Sequence, residues 1–238
     1  MFNESSISRI QKWVLSKDIV CISAFRYMLT NVTKNTLIDI EINSKYSKNQ
    51  NLERNRKLKA SLVTLGYGVT RLAGSFIENF SSKEEKEVQE ESFFVVNVKN
   101  DPSFKEKIFK LSEYYNQDSF LFKERDKDEA VLVGTNLSDS PGYKKEDVQG
   151  AFHPKVTSQF MSRLRASGFS FANKEDLFPH KPFTFSDRKA QRVNKENFDE
   201  QFYDVLGLEL FERKEVMGKL SVYSSCLEIL KTLGLKKL

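Results

Sequence analysis

A chain of 238 residues, 39% hydrophobic and 30% charged, is long enough for one large domain or a domain with an extension, and its 20 phenylalanines supply a core that a disordered chain would lack. Its two cysteines, Cys21 and Cys226, lie far apart in apolar surroundings, which argues against a disulfide scaffold and for free thiols in a reducing compartment. No apolar run approaches a membrane span and the N-terminus shows no signal-peptide core, so a cytoplasmic protein with no membrane partner is expected.

The net charge of +5 is unevenly spread. Between Lys144 and Lys195 eleven Lys/Arg face five Asp/Glu, a local excess of +6, and the rest of the chain is near neutral. A basic excess suits phosphate binding through counterion release. The plainer account is an ordinary solvated surface.

In chain order, Ser5 to Leu15 reads as an amphipathic helix, with Ile7, Ile10 and Val14 at helical spacing and Trp13 beside them as a core anchor. Ile19 to Tyr27 reads as a strand. Leu37 to Ile42 alternates apolar and acidic residues, as a short edge strand or part of a loop. Asn51 to Leu65 is a helix by the spacing of Leu58, Leu62 and Leu65, with Arg54, Arg56, Lys57 and Lys59 placed on its exposed side and Gly66 ending it.

Tyr67 to Phe80 gives a strand carrying Gly68 and Gly74, and the charged stretch Ser81 to Glu91 an exposed hairpin connection. Phe93 to Val98 is a nearly continuous apolar run, expected to be a central strand buried on both faces. Asp101-Pro102 opens a helix with Phe104, Ile108, Leu111 and Tyr115 on one face. Ser119 to Lys123 and Ala130 to Val133 give two further strands. The order predicts an α+β fold, a ferredoxin-like βαββαβ antiparallel sheet plus an added strand, with the helices on one face.

The domain plan is an N-terminal helix over 1–18, the ferredoxin-like core over 19–136, and a basic, Phe-rich extension over 137–238. In that extension Thr157 to Ala166 reads as a short helix. Gly168 to Arg192 shows no clear period and reads as an extended arm whose Phe rings pack on the core or on a partner. Phe198 to Leu210 and Leu220 to Leu233 read as closing helices.

The succession Asn51, Asn55, Leu58, Leu62, Gly66-Tyr67-Gly68, Gly74-Ser75, Glu78, Glu91-Ser92-Phe93 and Gln117-Asp118-Ser119 resembles an uncharacterised α/β domain family of bacteria and their phages, over about residues 20–135. The phage-type members are closer in style. The resemblance implies a shared fold and a phage or mobile-element origin, hence host cytoplasm or virion, and no established activity.

Asn55, Ser75, Glu78, Glu91, Ser92, Gln117 and Asp118 form a candidate polar cluster near strand ends and helix starts. Paired carboxylates there could hold Mg²⁺, but the strand offers Asn97-Val98-Lys99 where a metal nuclease wants an acid first, so capping and ion pairing is the plainer role. His153 and His180 have no ligand-spaced partner, and no phosphate loop or nucleophilic triad is found. No metal, cofactor or catalytic residue is expected. The basic arm, through Lys155, Arg163, Arg165, Arg188, Lys189 and Arg192, points to nucleic acid as partner. Docking on another protein or a second copy competes with it. The sequence thus reads as a non-enzymatic, phage-type accessory or structural protein, with a protein-interaction factor and a metal-dependent nuclease as alternatives.

Overall fold

The structure is a computed structural model that describes residues 6–26, 31–33, 36, 45–78, 86–154, 160–164, 167–173 and 216–235. Its elements in order are α1 (Ser6–Ser16), β1 (Ile19–Ile22), α2 (Lys48–Thr64), β2 (Gly68–Glu78), β3 (Lys86–Val96), α3 (Phe104–Tyr114), β4 (Ser119–Lys123), β5 (Glu129–Gly134), β6 (Glu146–Pro154), β7 (Phe160–Leu164), β8 (Ser167–Ala172) and α4 (Val216–Thr232). The eight strands pair antiparallel and curl into a closed barrel in the order β1-β3-β2-β7-β8-β6-β5-β4.

The fold is α+β, but the sheet is not the open one expected from the sequence. Past β5 the chain continues as β6, β7 and β8, which close the ring between β5 and β2. The helix expected over Thr157 to Ala166 is replaced by β7, and the start of the supposed arm is β8. The reason lies in the period. Phe169 and Phe171 alternate along β8 and are buried against the barrel interior, with the partly buried Phe152 packed on them, a two-residue spacing that belongs to a strand. Closure also needs Gly150, at φ 100°, where a Cβ would strike the Ala172 backbone. Strand Leu37–Ile42, helix Phe198–Leu210 and the arm beyond Asn173 lie outside the described residues.

Alternation along the central strands builds two cores. On the outer face Val20, Ile22, Phe93, Val95, Phe120 and Phe122 meet Leu58 and Leu62 of α2, Phe104, Ile108 and Leu111 of α3, and Ile229 and Leu230 of α4. On the inner face Ile19, Phe94, Val96 and Leu121 meet Ile7, Ile10 and Val14 of α1, which plugs the barrel. Each fully buried Leu, Val or Phe contributes roughly 1.5–3 kcal/mol of burial, so the two-sided strands β1 and β3 anchor the fold. Both cysteines are free, and burial pushes the Cys21 thiol up to about 12.

The helix starts follow local chemistry. Ser47 and Gln50 form a reciprocal capping box at α2. At α3 the N-cap is Ser103 and not Asp101, whose Oδ1 accepts the Ser103 N–H at 2.9 Å.

Candidate functional site

Where β1 ends, the chain runs on without strand pairing from Ser23 to Arg26, and its exposed peptide groups need partners. The first turns of α2 supply them. Asn51 Oδ1 accepts the Arg26 N–H at 2.9 Å and its Nδ2 donates to the Arg26 carbonyl at 2.9 Å. Asn55 Oδ1 accepts the Ala24 N–H at 2.7 Å, and its Nδ2 donates to the Glu91 carbonyl at 2.9 Å. Arg54 donates from Nε to the Ala24 carbonyl at 2.8 Å and from Nη2 to the Tyr115 carbonyl at 2.5 Å. Asn51, Arg54 and Asn55 thus tie β1, β3 and the end of α3 to one helix face.

The turn after α3 brings the second wall. Asn116, at φ 50°, reverses the chain and is fully buried. Gln117 Nε2 then donates to the Phe25 carbonyl at 3.1 Å. Asp118 Oδ2 pairs with Arg26 Nη1 at 2.7 Å, and its Oδ1 accepts from Asn136 Nδ2 at 2.7 Å. The Asp118 side chain is 47% exposed while that of Arg26 is 13% exposed, so the pair opens to solvent on the acidic side. On the other flank Arg71 of β2 forms an ion pair with Glu91 of β3.

At the centre stands Arg54. It is 6% exposed and its Nη1 has no hydrogen-bond partner. The Tyr46 ring lies 4.2 Å from its guanidinium carbon and the Tyr115 ring 5.5 Å away. The hydroxyls of both tyrosines are buried and unpartnered. Burial lowers the Arg54 pKa from its usual value, and the neighbouring tyrosines oppose that shift. No carboxylate pairs with it among the described residues, although an unpaired buried charge is costly.

The expected polar cluster is partly assembled. Asn55, Gln117 and Asp118 meet around Ser23–Arg26, which Glu91 reaches through its backbone carbonyl while its carboxylate pairs with Arg71. Ser92 is buried, but it pairs with Leu72 on the inner side of the sheet, away from Glu91. Ser75 and Glu78 lie four and seven residues beyond Arg71 on β2, about 13 and 23 Å along the strand at ~3.3 Å per residue. Sequence reasoning missed Arg26, Tyr46, Asn51 and Arg71, and it placed Arg54 on the exposed side of α2, where the structure buries it. The signal was there: Asn51, Arg54 and Asn55 share the helix face that continues as Leu58 and Leu62, and polar side chains inside an apolar stripe are bound to something.

Of the basic residues, Arg163 lies on β7 opposite Ala73 and Gly168, while Lys155, Arg165, Arg188, Lys189 and Arg192 lie outside the described residues. His153 Nε2 bonds the Ala172 carbonyl at 3.1 Å, inside the sheet. Among the described residues no group of three or more His, Cys, Asp or Glu is placed to hold a metal ion, and no helix is long and apolar enough to cross a membrane.

The family model of the S-adenosylmethionine lyases matches residues 42–178, more than half of the chain. The chain belongs to the S-adenosylmethionine lyase family. No curated protein and no solved structure matches it. The match overturns the expectation of a non-enzymatic accessory or virion protein, because the family is one of enzymes, and neither the protein-interaction nor the nuclease alternative fits better. It also names a known family where the sequence resemblance pointed to an uncharacterised one. Nothing supports a phage, virion or nucleic-acid-binding assignment. The basic surplus misled because charge alone does not say what it binds.

Proposed function

We propose that the protein cleaves S-adenosylmethionine at a carbon–sulfur bond of its sulfonium, without adding water, in the cluster where β1 ends. The observation that carries this reading is the family match, which spans α2 to β8 and so includes Arg54, Arg71, Glu91 and Asp118. The fold reading beneath it is that β1–α2–β2–β3–α3–β4, in lateral order β4-β1-β3-β2, is a ferredoxin-like half that the remaining strands close into the barrel.

The substrate is cationic at sulfur and at its ammonium and anionic at its carboxylate. The cluster offers both signs: Asp118 and Glu91 for the cations, with arginines beside them. When the bond from sulfur to the γ-carbon breaks, its electron pair goes to sulfur, the sulfonium is discharged, and 5′-methylthioadenosine leaves as a neutral thioether. The four-carbon fragment balances its charge by closing its own carboxylate onto the γ-carbon, or by giving a β-proton to a base. Preorganised charges at such a site act on the developing change in charge at sulfur.

The test is to incubate the purified protein with S-adenosylmethionine and follow the mixture by chromatography with mass detection. The expected result is loss of substrate with equal gain of 5′-methylthioadenosine. Homoserine lactone marks ring closure and vinylglycine marks proton loss. Intact substrate in the presence of folded protein, or S-adenosylhomocysteine as the nucleoside product, overturns the reading.

A further inference from the structure

We propose that Arg54 is the receptor for the carboxylate of the substrate's amino-acid arm, and that Tyr46 is the side chain the carboxylate displaces. The naming of that ligand rests on the function proposed above.

Two of the guanidinium nitrogens are spent on backbone. Nε holds the Ala24 carbonyl and Nη2 the Tyr115 carbonyl, which fixes the plane of the group on two separate segments. Nη1 is left with its donors aimed at no acceptor. Arginine is the side chain whose rigid fork matches a carboxylate, and a fork locked in place loses little entropy when the anion arrives.

Tyr46 covers this group and has an orphan of its own. Its ring lies over the guanidinium at 4.2 Å, but its buried hydroxyl has no partner. No hydrogen bond holds the Tyr46 hydroxyl, the stacking on the guanidinium is the contact its exit gives up, and turning it outward returns its hydroxyl to water. A carboxylate entering beneath it satisfies Nη1 and neutralises the buried charge. One exchange relieves the Arg54 Nη1 and the Tyr46 hydroxyl together and leaves the Tyr115 hydroxyl as it was. The two carbonyls that Arg54 binds, of Ala24 and Tyr115, belong to the same two segments that carry Arg26 and Asp118, the ion pair whose acidic side is open to solvent.

Calorimetric titration with two nucleosides tests this. S-adenosylhomocysteine keeps the carboxylate but has no sulfonium to cleave, and 5′-methylthioadenosine lacks the whole arm. The wild-type protein is expected to prefer the first. Arg54→Met should weaken S-adenosylhomocysteine by about ten- to hundredfold, the range of a hydrogen bond to a charged group, and leave 5′-methylthioadenosine unchanged. Tyr46→Ala should keep or strengthen binding of the carboxylate ligand, an outcome misfolding cannot imitate. Arg54→Met that still binds 5′-methylthioadenosine and retains the preference overturns the proposal. Should that variant not fold, Arg54→Lys decides: its ammonium cannot reproduce the fork, and an unchanged preference has the same meaning.

Melting in acetate against equal chloride separates the two readings. If neither nucleoside binds the wild type, the proposed substrate falls. Acetate that then raises the Tm of the wild type but not of Arg54→Lys leaves the carboxylate receptor standing, and acetate without that effect removes it too.

Discussion

The two ends of β1 carry polar networks of opposite completeness. Before the strand, Asn97 donates to Asp18 Oδ2 at 3.0 Å and to the Asp101 carbonyl at 2.9 Å, while its Oδ1 accepts the Asp101 N–H at 2.8 Å. Asp18 Oδ1 accepts the Arg125 N–H, and Asp101 Oδ2 accepts from Tyr67 and from Lys107. After the strand, Arg54 Nη1 and the hydroxyls of Tyr46 and Tyr115 are buried without partners. A complete network holds chain segments together and asks for nothing more. An incomplete one spends stability that only a ligand returns, which separates scaffold from site without reference to any motif.

The largest effect on stability belongs to the complete end. Asn97, itself 0% exposed, holds the Asp101 N–H and one oxygen of the Asp18 carboxylate, so Asn97→Ala leaves the N–H without its acceptor and takes one of two hydrogen bonds from Asp18, and should cost about 3 kcal/mol in urea unfolding. A cost under ~1 kcal/mol would erase the contrast between the two ends. Tyr67→Phe removes one hydrogen bond to a charged group and should cost about 1.5 kcal/mol. The same network predicts the acid limb. Burial works to raise the Asp101 pKa, but hydrogen bonds from Lys107, Tyr67 and the Ser103 N–H outweigh it and hold the carboxyl below its usual value. A depressed carboxyl stabilises the fold above the unfolded value of about 4 and loses that contribution as the pH falls below it. Urea midpoints of Asp101→Asn should therefore vary less with pH than those of the wild type in that window.

Much of the architecture was legible. The nearly continuous apolar run Phe93–Val98 reads as a strand buried on both faces, and Phe93–Val96 does feed both cores, while β3 ends at Val96 and Val98 is exposed. Closure of the sheet was hidden because β7 and β8 are short and their Phe alternation covers only Phe169 and Phe171, too little to set a period against the basic residues around it. Asn55, Glu91, Gln117 and Asp118 were singled out as polar residues near strand ends and helix starts; Gln117 and Asp118 do lie in the turn between α3 and β4, while Asn55 lies inside α2 and Glu91 midway along β3. Arg54 was hidden because an arginine on a helix is usually solvated. Only the face it shares with Leu58 and Leu62 marks it, and its partners are backbone carbonyls that no sequence pattern shows.

The incomplete end should respond differently to deletion. Arg54→Met breaks two hydrogen bonds to carbonyls but also withdraws a buried charge that nothing neutralises, so the two terms oppose each other and the net cost should be about 1 kcal/mol or less. Asn97→Ala breaks a comparable set with no such return. If urea unfolding shows the two variants equally damaged, Arg54 is one more structural tie and the contrast fails.

The smallest effect on stability belongs to Asp118, where a large effect on turnover is expected. Its pair with Arg26 is half in water, and exposed pairs contribute about 0.2–1 kcal/mol. Asp118→Asn keeps the shape and the hydrogen bond from Asn136, so it should unfold within ~1 kcal/mol of the wild type. The carboxylate is nevertheless the exposed negative charge that faces out of the cluster next to Arg26. If the cations of S-adenosylmethionine rest there, its loss should lower kcat/KM by about tenfold or more, the worth of one charge-assisted contact, and the change should fall on S-adenosylmethionine and not on 5′-methylthioadenosine binding. Unchanged turnover at unchanged stability would move the chemistry to the Arg71–Glu91 flank, where Glu91→Gln poses the same question to that pair's carboxylate.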